Sequence, residues 1–95
     1  MIPHQDLEHA IQLAKKYHVG RLYLVGSALH ADFAHSNDYD FVVEEVPPGQ
    51  FFPFYGKLMM AMPKPVDLIL LTNDGSQFEK LVRKEAQLVY EQKEA

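Results

Sequence analysis

Apolar residues recur along the chain with two periods, and the alternation between them suggests an α/β order. Leu7, Ala10, Ile11, Ala14 and Tyr17 are spaced three and four apart, which predicts a helix over Asp6–His18 that Gly20 is placed to end. Arg21 to Val25 (Arg-Leu-Tyr-Leu-Val) is a short run of strand formers between Gly20 and Gly26. A second strand is expected from Tyr39 to Val46, closed by the loop Pro47-Pro48-Gly49. Phe51 to Met62 is rich in aromatics and methionine, with a short helix expected after Pro53. Pro65 to Leu71 reads as a buried strand. A last helix is expected from Ser76, where Ser76 and Glu79 make a capping box, with Phe78, Leu81, Val82 and Ala86 as its buried stripe. Gln87 to Glu91 can add a final strand. The fold class is α/β (α+β), a small mixed sheet with packed helices, in one domain spanning residues 1–95.

Polar residues placed at the ends of these strands carry the candidate chemistry. Gly26 follows the first strand and can let an anion approach the main chain. Ser27 can cap a short helix through Ala28, Leu29 and Ala31, whose free N–H groups attract phosphate. By itself a Gly-Ser pair after a strand signals only a turn. Asp38 and Asp40 stand one residue apart at the start of the next strand, on one face, with Tyr39 and Phe41 on the other. Carboxylates that close repel unless they are solvated or bridged by a cation, and Mg²⁺ takes such oxygen ligands together with phosphate. Asp67 lies near the start of the third strand. In a buried strand it would need a partner or a metal, whereas as a helix cap or on a solvent-facing edge it would need neither.

Gly26-Ser27-Ala28-Leu29-His30-Ala31-Asp32-Phe33 through Ser36-Asn37-Asp38-Tyr39-Asp40-Phe41-Val42-Val43 resembles the minimal nucleotidyltransferases of the DNA polymerase β-like superfamily. Their pattern is Gly-Ser, ten residues, Asp-x-Asp, then a third Asp on a later strand. Val66-Asp67-Leu68-Ile69 resembles that later strand, and Glu85 to Glu91 resembles the common C-terminal ending. The resemblance implies the polymerase β-like nucleotidyltransferase fold. It implies Asp38, Asp40 and Asp67 as catalytic, Mg²⁺-binding residues, and Gly26, Ser27 and His30 as nucleotide-binding residues. Many members carry Arg-Gly where this chain has His30-Ala31, and Ser where it has Asn37. Histidine is mostly neutral near pH 7 and cannot grip phosphate as an Arg fork does, so weaker affinity or turnover is implied.

The activity so implied is transfer of AMP from ATP to a hydroxyl. Minimal members commonly act as antitoxins of small helical HEPN-type proteins, some by adding AMP to a tyrosine, which makes a HEPN-type chain the expected partner. A different class of function is a catalytically weak module that neutralises its partner by contact, with Phe51–Met62 as the interface. That segment can equally supply core, since methionine and aromatics serve both purposes.

Charge and composition narrow the setting. The net charge is −4 and Lys and Arg form no long stripe, which argues against a broad nucleic-acid footprint. There is no cysteine for a disulfide or a thiolate metal site. His30 and His35 flank the candidate site without a zinc-like spacing. No apolar run is long enough to span a bilayer and no signal-peptide layout opens the chain, so no membrane association and a cytoplasmic location are expected. With no evident substrate lid, the domain is expected to complete its site from another chain, as a homodimer or a hetero-complex.

Overall fold

Arg21–Val25 forms β1 as its composition suggests, and in the computed structural model it becomes one of the two central strands of a four-stranded mixed sheet. The structure describes residues 2–25 and 39–93. Among them the order is α1 (His4–Lys16), β1, β2 (Tyr39–Glu44), α2 (Phe51–Ala61), β3 (Val66–Leu70), α3 (Gln77–Glu85) and β4 (Gln87–Glu91). The strands lie in the order β3-β2-β1-β4. β1 runs antiparallel to both β2 and β4, while β2 and β3 are parallel and joined through α2. The short helix expected after Ser27 lies outside the described residues.

Strand alternation divides the sheet into two unequal faces. Leu22, Phe41, Val43 and Leu68 point to one face and form a single core with Ala10 and Ala14 of α1 and Phe54 and Leu58 of α2. The two alanines let α1 lie close to the sheet, and Tyr17 meets the Phe54 ring edge-on, with centroids 6.1 Å apart. On the other face a smaller cluster joins Tyr23, Val42 and Leu71 to Val82 of α3.

Several boundaries differ from the sequence expectation for identifiable reasons. α1 stops at Lys16, and His18, not Gly20, takes the left-handed conformation after it, at φ 60°. Gly20 serves a close approach instead: a Cβ there would sit 2.6 Å from the Cβ of Glu45. Its N–H donates to the Glu45 carbonyl and its own carbonyl accepts from Gln92. β2 ends at Glu44 because Glu45 turns left-handed, with φ 60°. α2 starts at Phe51, ahead of Pro53, which the first turn accommodates because its missing N–H would have had no helical partner.

α3 also departs from expectation. Ser76 caps it as expected, accepting from the Glu79 N–H at 3.1 Å. The Glu79 carboxylate, however, accepts from the Gly75 N–H, while the Ser76 N–H is taken by Asp74. Of the expected apolar stripe, Val82 is fully buried, whereas Phe78 and Leu81 are exposed. Glu79 takes the neighbouring buried position, and ion pairs do part of the work expected of the apolar stripe.

Candidate functional site

The pairing register brings the strand-borne candidates together. In the parallel β2–β3 ladder Asp40 lies directly opposite Asp67, and in the antiparallel β1–β2 ladder Val25 lies opposite Asp40. The last residue of β1 and the first residues of β2 and β3 therefore share one end of the sheet. Tyr39 and Phe41 turn into the first core, so Asp40 projects to the opposite face, with Asp67 beside it. Adjacent strands are about 4.8 Å apart, which puts the two carboxylates within bridging distance of one cation.

Asp67 is exposed, and this corrects the expectation of a buried strand. β3 is an edge strand whose alternate positions are open, with only Val66 and Leu68 of its residues buried. Asp67 consequently needs no internal partner, and its carboxylate faces solvent beside Asp40. Asp40 is half-buried. Gly26, Ser27, His30 and Asp38, with His35 and Asn37, lie outside the described residues. Among the described residues no cluster of three or more metal-ligating side chains occurs. The donor chemistry of the pair Asp40 and Asp67, hard carboxylate oxygens on adjacent strands, fits Mg²⁺.

The start of β2 is firmly anchored. The Tyr39 N–H donates to the Pro65 carbonyl at 2.8 Å, and the Tyr39 hydroxyl donates to Asp6 of α1 at 3.1 Å. Burial, reinforced by that hydrogen bond to Asp6, pushes the Tyr39 phenol up. The Lys64 ammonium sits 5.4 Å from the centre of the Tyr39 ring, a cation–π contact. These supports span 33 residues in the case of Asp6 and Tyr39, and no local pattern marks them.

A second polar cluster occupies the far end of the same face. Glu44, almost fully buried, accepts from Arg83 at 2.7 Å, Tyr23 at 3.0 Å and Arg21 at 3.3 Å. Arg83 also donates to Glu79 at 2.9 Å, and Arg21 pairs with Glu45 and Glu91. The Arg83 hydrogen bond holds the Glu44 carboxyl below the usual range, against the opposing effect of burial. Burial pushes the Tyr23 phenol up. The hollow lined by Arg21, Tyr23, Glu44, Asn73 and Arg83 is accordingly a structural hub, its cations already neutralised by carboxylates. It fastens α3 to the sheet.

No protein-family model matches the chain, and no curated protein does. Solved structures do match in three dimensions. A chain of the toxin–antitoxin MntA-HepT crystal structure superposes with a TM-score of 0.67 and 17% identity, over 95% of this chain and 74% of that one. A mutant of the complex, with two aspartate-to-glutamate substitutions two residues apart, gives 0.67 at 18% identity, over 92% of this chain and 74% of that one. A toxin–antitoxin crystal structure with AMP-PNP gives 0.67 at 20% identity, again over 92% and 74%. At such identity the likeness is one of fold, and the fold is the one that the Gly-Ser and Asp-x-Asp resemblance implies.

Proposed function

We propose that this chain is a minimal nucleotidyltransferase that moves AMP from ATP to a hydroxyl, the acceptor being a tyrosine of a HEPN-type helical partner. The observation that carries this reading is the register of β2 and β3, which sets Asp40 beside Asp67 at the sheet end where β1 finishes. Gly26-Ser27 continue directly from β1, and Asp38 directly precedes β2. Support comes from the AMP-PNP in the crystal structure of one neighbouring toxin–antitoxin pair and from the paired aspartates altered in another.

Asp38, Asp40 and Asp67 would hold Mg²⁺, which when bound neutralises phosphate charge and polarises the phosphorus–oxygen bonds. Gly26 and Ser27 would receive the outer phosphates through backbone N–H groups, with His30 alongside. Asp67, open to solvent on the edge strand, orients the acceptor hydroxyl and accepts its proton. The acceptor oxygen then bonds to the α-phosphorus in line, the bond to the β-phosphate oxygen breaks, and pyrophosphate leaves. Catalysis here is mostly positioning, for which the Tyr39 anchors are suited. Incubation of the chain with ATP, Mg²⁺ and the helical partner should leave the partner heavier by one adenylyl group on a tyrosine, detected by mass spectrometry of its peptides. An unmodified partner under these conditions would count against the proposal.

The second reading is a module that neutralises its partner by contact. The observation favouring it is the exposure of Phe52, Met59 and Met60 on α2. It requires partner binding to survive unchanged in an Asp40→Asn, Asp67→Asn double variant, with no modification of the partner by the wild type.

A further inference from the structure

Tyr39 occupies a core position that packing alone would give to a phenylalanine. It is 7% exposed, and its ring meets Phe41 edge-on, with centroids 6.5 Å apart, in the cluster that includes Phe54 and Leu58. A buried phenol carries a hydroxyl that must find a hydrogen-bond partner, which phenylalanine does not. The partner is Asp6 in the first turn of α1, whose carboxylate accepts from the Tyr39 hydroxyl at 3.1 Å. α1 makes a firm post for that bond, since its Ala10 and Ala14 are fully buried in the same core.

The contacts of Tyr39 restrain β2 in two ways. Its N–H donates to the Pro65 carbonyl, which fixes how β2 slides along β3 and so keeps Asp40 opposite Asp67. At the first residue of a strand the ladder ends, and backbone bonds alone restrain twisting weakly there. The bond to Asp6 supplies the second restraint. It holds the far end of the side chain, on the face opposite Asp40, and thereby stops the strand from rolling about its axis. Lys64, immediately before Pro65, closes the clasp through its contact with the Tyr39 ring. Because successive strand residues point to opposite faces, a roll that shifts the phenol one way swings the Asp40 carboxylate the other way.

Building on the nucleotidyl-transfer reading, we propose that Tyr39 and Asp6 are positioning residues for the metal carboxylates. Their bond locks the roll of β2 and keeps the Asp40 carboxylate aimed at the cation it shares with Asp67. They act on Asp40 and not on the reacting atoms.

Two readouts separate this role from a purely structural one. One is Mn²⁺ binding in the presence of AMP-PNP, followed by water-proton relaxation. The other is label transfer from α-labelled ATP to the helical partner at saturating Mg²⁺. Tyr39→Phe keeps the ring and removes only the hydroxyl. It should weaken Mn²⁺ binding and lower kcat by about tenfold or more, with KM for ATP little changed. Asp6→Ala should do the same, while Asp6→Asn, whose amide oxygen still accepts from the phenol, should restore both. Glu44→Gln, at the other end of β2, should lower the urea midpoint and leave both readouts at wild-type values. Wild-type Mn²⁺ binding and kcat in Tyr39→Phe, with only a lower midpoint, would overturn the positioning role and leave nucleotidyl transfer standing. Mn²⁺ binding that is lost in Asp40→Asn and weakened in Tyr39→Phe, by a chain that transfers no label, would uphold the positioning role and overturn the transfer reading. Mn²⁺ binding indifferent to Asp40→Asn would overturn both.

Discussion

Glu44 shows how one residue joins sheet and helix. Its carboxylate takes Arg83, Tyr23 and Arg21 together at a nearly buried position. Its folded pKa is depressed, chiefly by Arg83, below the ordinary value of 4.5. A depressed carboxylate stabilises the fold above its unfolded pKa, and that contribution is lost as the pH falls through the folded value. Glu44→Gln is therefore expected to lower stability near neutral pH by about 1–3 kcal/mol, the cost of leaving buried partners poorly matched. It should also flatten the acid side of the stability profile below pH 4.5. Urea unfolding of both proteins across that range checks the sign. At this same scale the sequence was only partly informative. Asp40 and Asp67 stand out because strand alternation and a spaced motif single them out. Glu44, Arg83 and Tyr39 are ordinary residues locally, and their partners lie 39 residues away for the Glu44–Arg83 pair.

Among elements, β1 is legible because a short apolar run bounded by Gly20 and Gly26 leaves little freedom. The buried face of α1 is legible from its spacing, whereas α3 is legible in place but not in burial. Phe78 and Leu81 have the spacing of a core stripe, yet α3 rests on a narrow contact at Val82 and on the ion pairs of Arg83. Whether a spaced apolar residue is covered depends on what packs above it, and periodicity carries no such information. Its place after the first helical run marks Gly20 as a helix terminator, whereas its role is to let β1 pass Glu45. Gly20→Ala would place a Cβ 2.6 Å from Glu45 and 3.0 Å from the Glu44 carbonyl oxygen. The strain should cost about 1–3 kcal/mol, read as a lower midpoint in thermal or denaturant unfolding. An unchanged midpoint would mean that the β1–β2 approach is looser than the structure has it.

At the level of the whole molecule, strand order converts separate motifs into one place. The mixed sheet sets the end of β1 and the starts of β2 and β3 side by side, and only this order makes neighbours of two aspartates 27 positions apart in the sequence. The same order leaves β3 at an edge of the described sheet, which opens Asp67 to solvent and leaves Ile69 and Leu70 exposed. Neither consequence can be read from the run Val66 to Leu71 taken alone. Among the described residues no helix is long and apolar enough to cross a membrane.

The central claim is that the Asp40 and Asp67 pair is the chemical centre of a nucleotidyl transfer. Its most direct test is label transfer from α-labelled ATP with Mg²⁺ to the helical partner, run with the wild type, Asp40→Asn and Asp67→Asn. Labelled partner with wild type, reduced by about 100-fold or more in each variant while circular dichroism stays unchanged, is the expected result. Undiminished label transfer by Asp40→Asn would contradict the account.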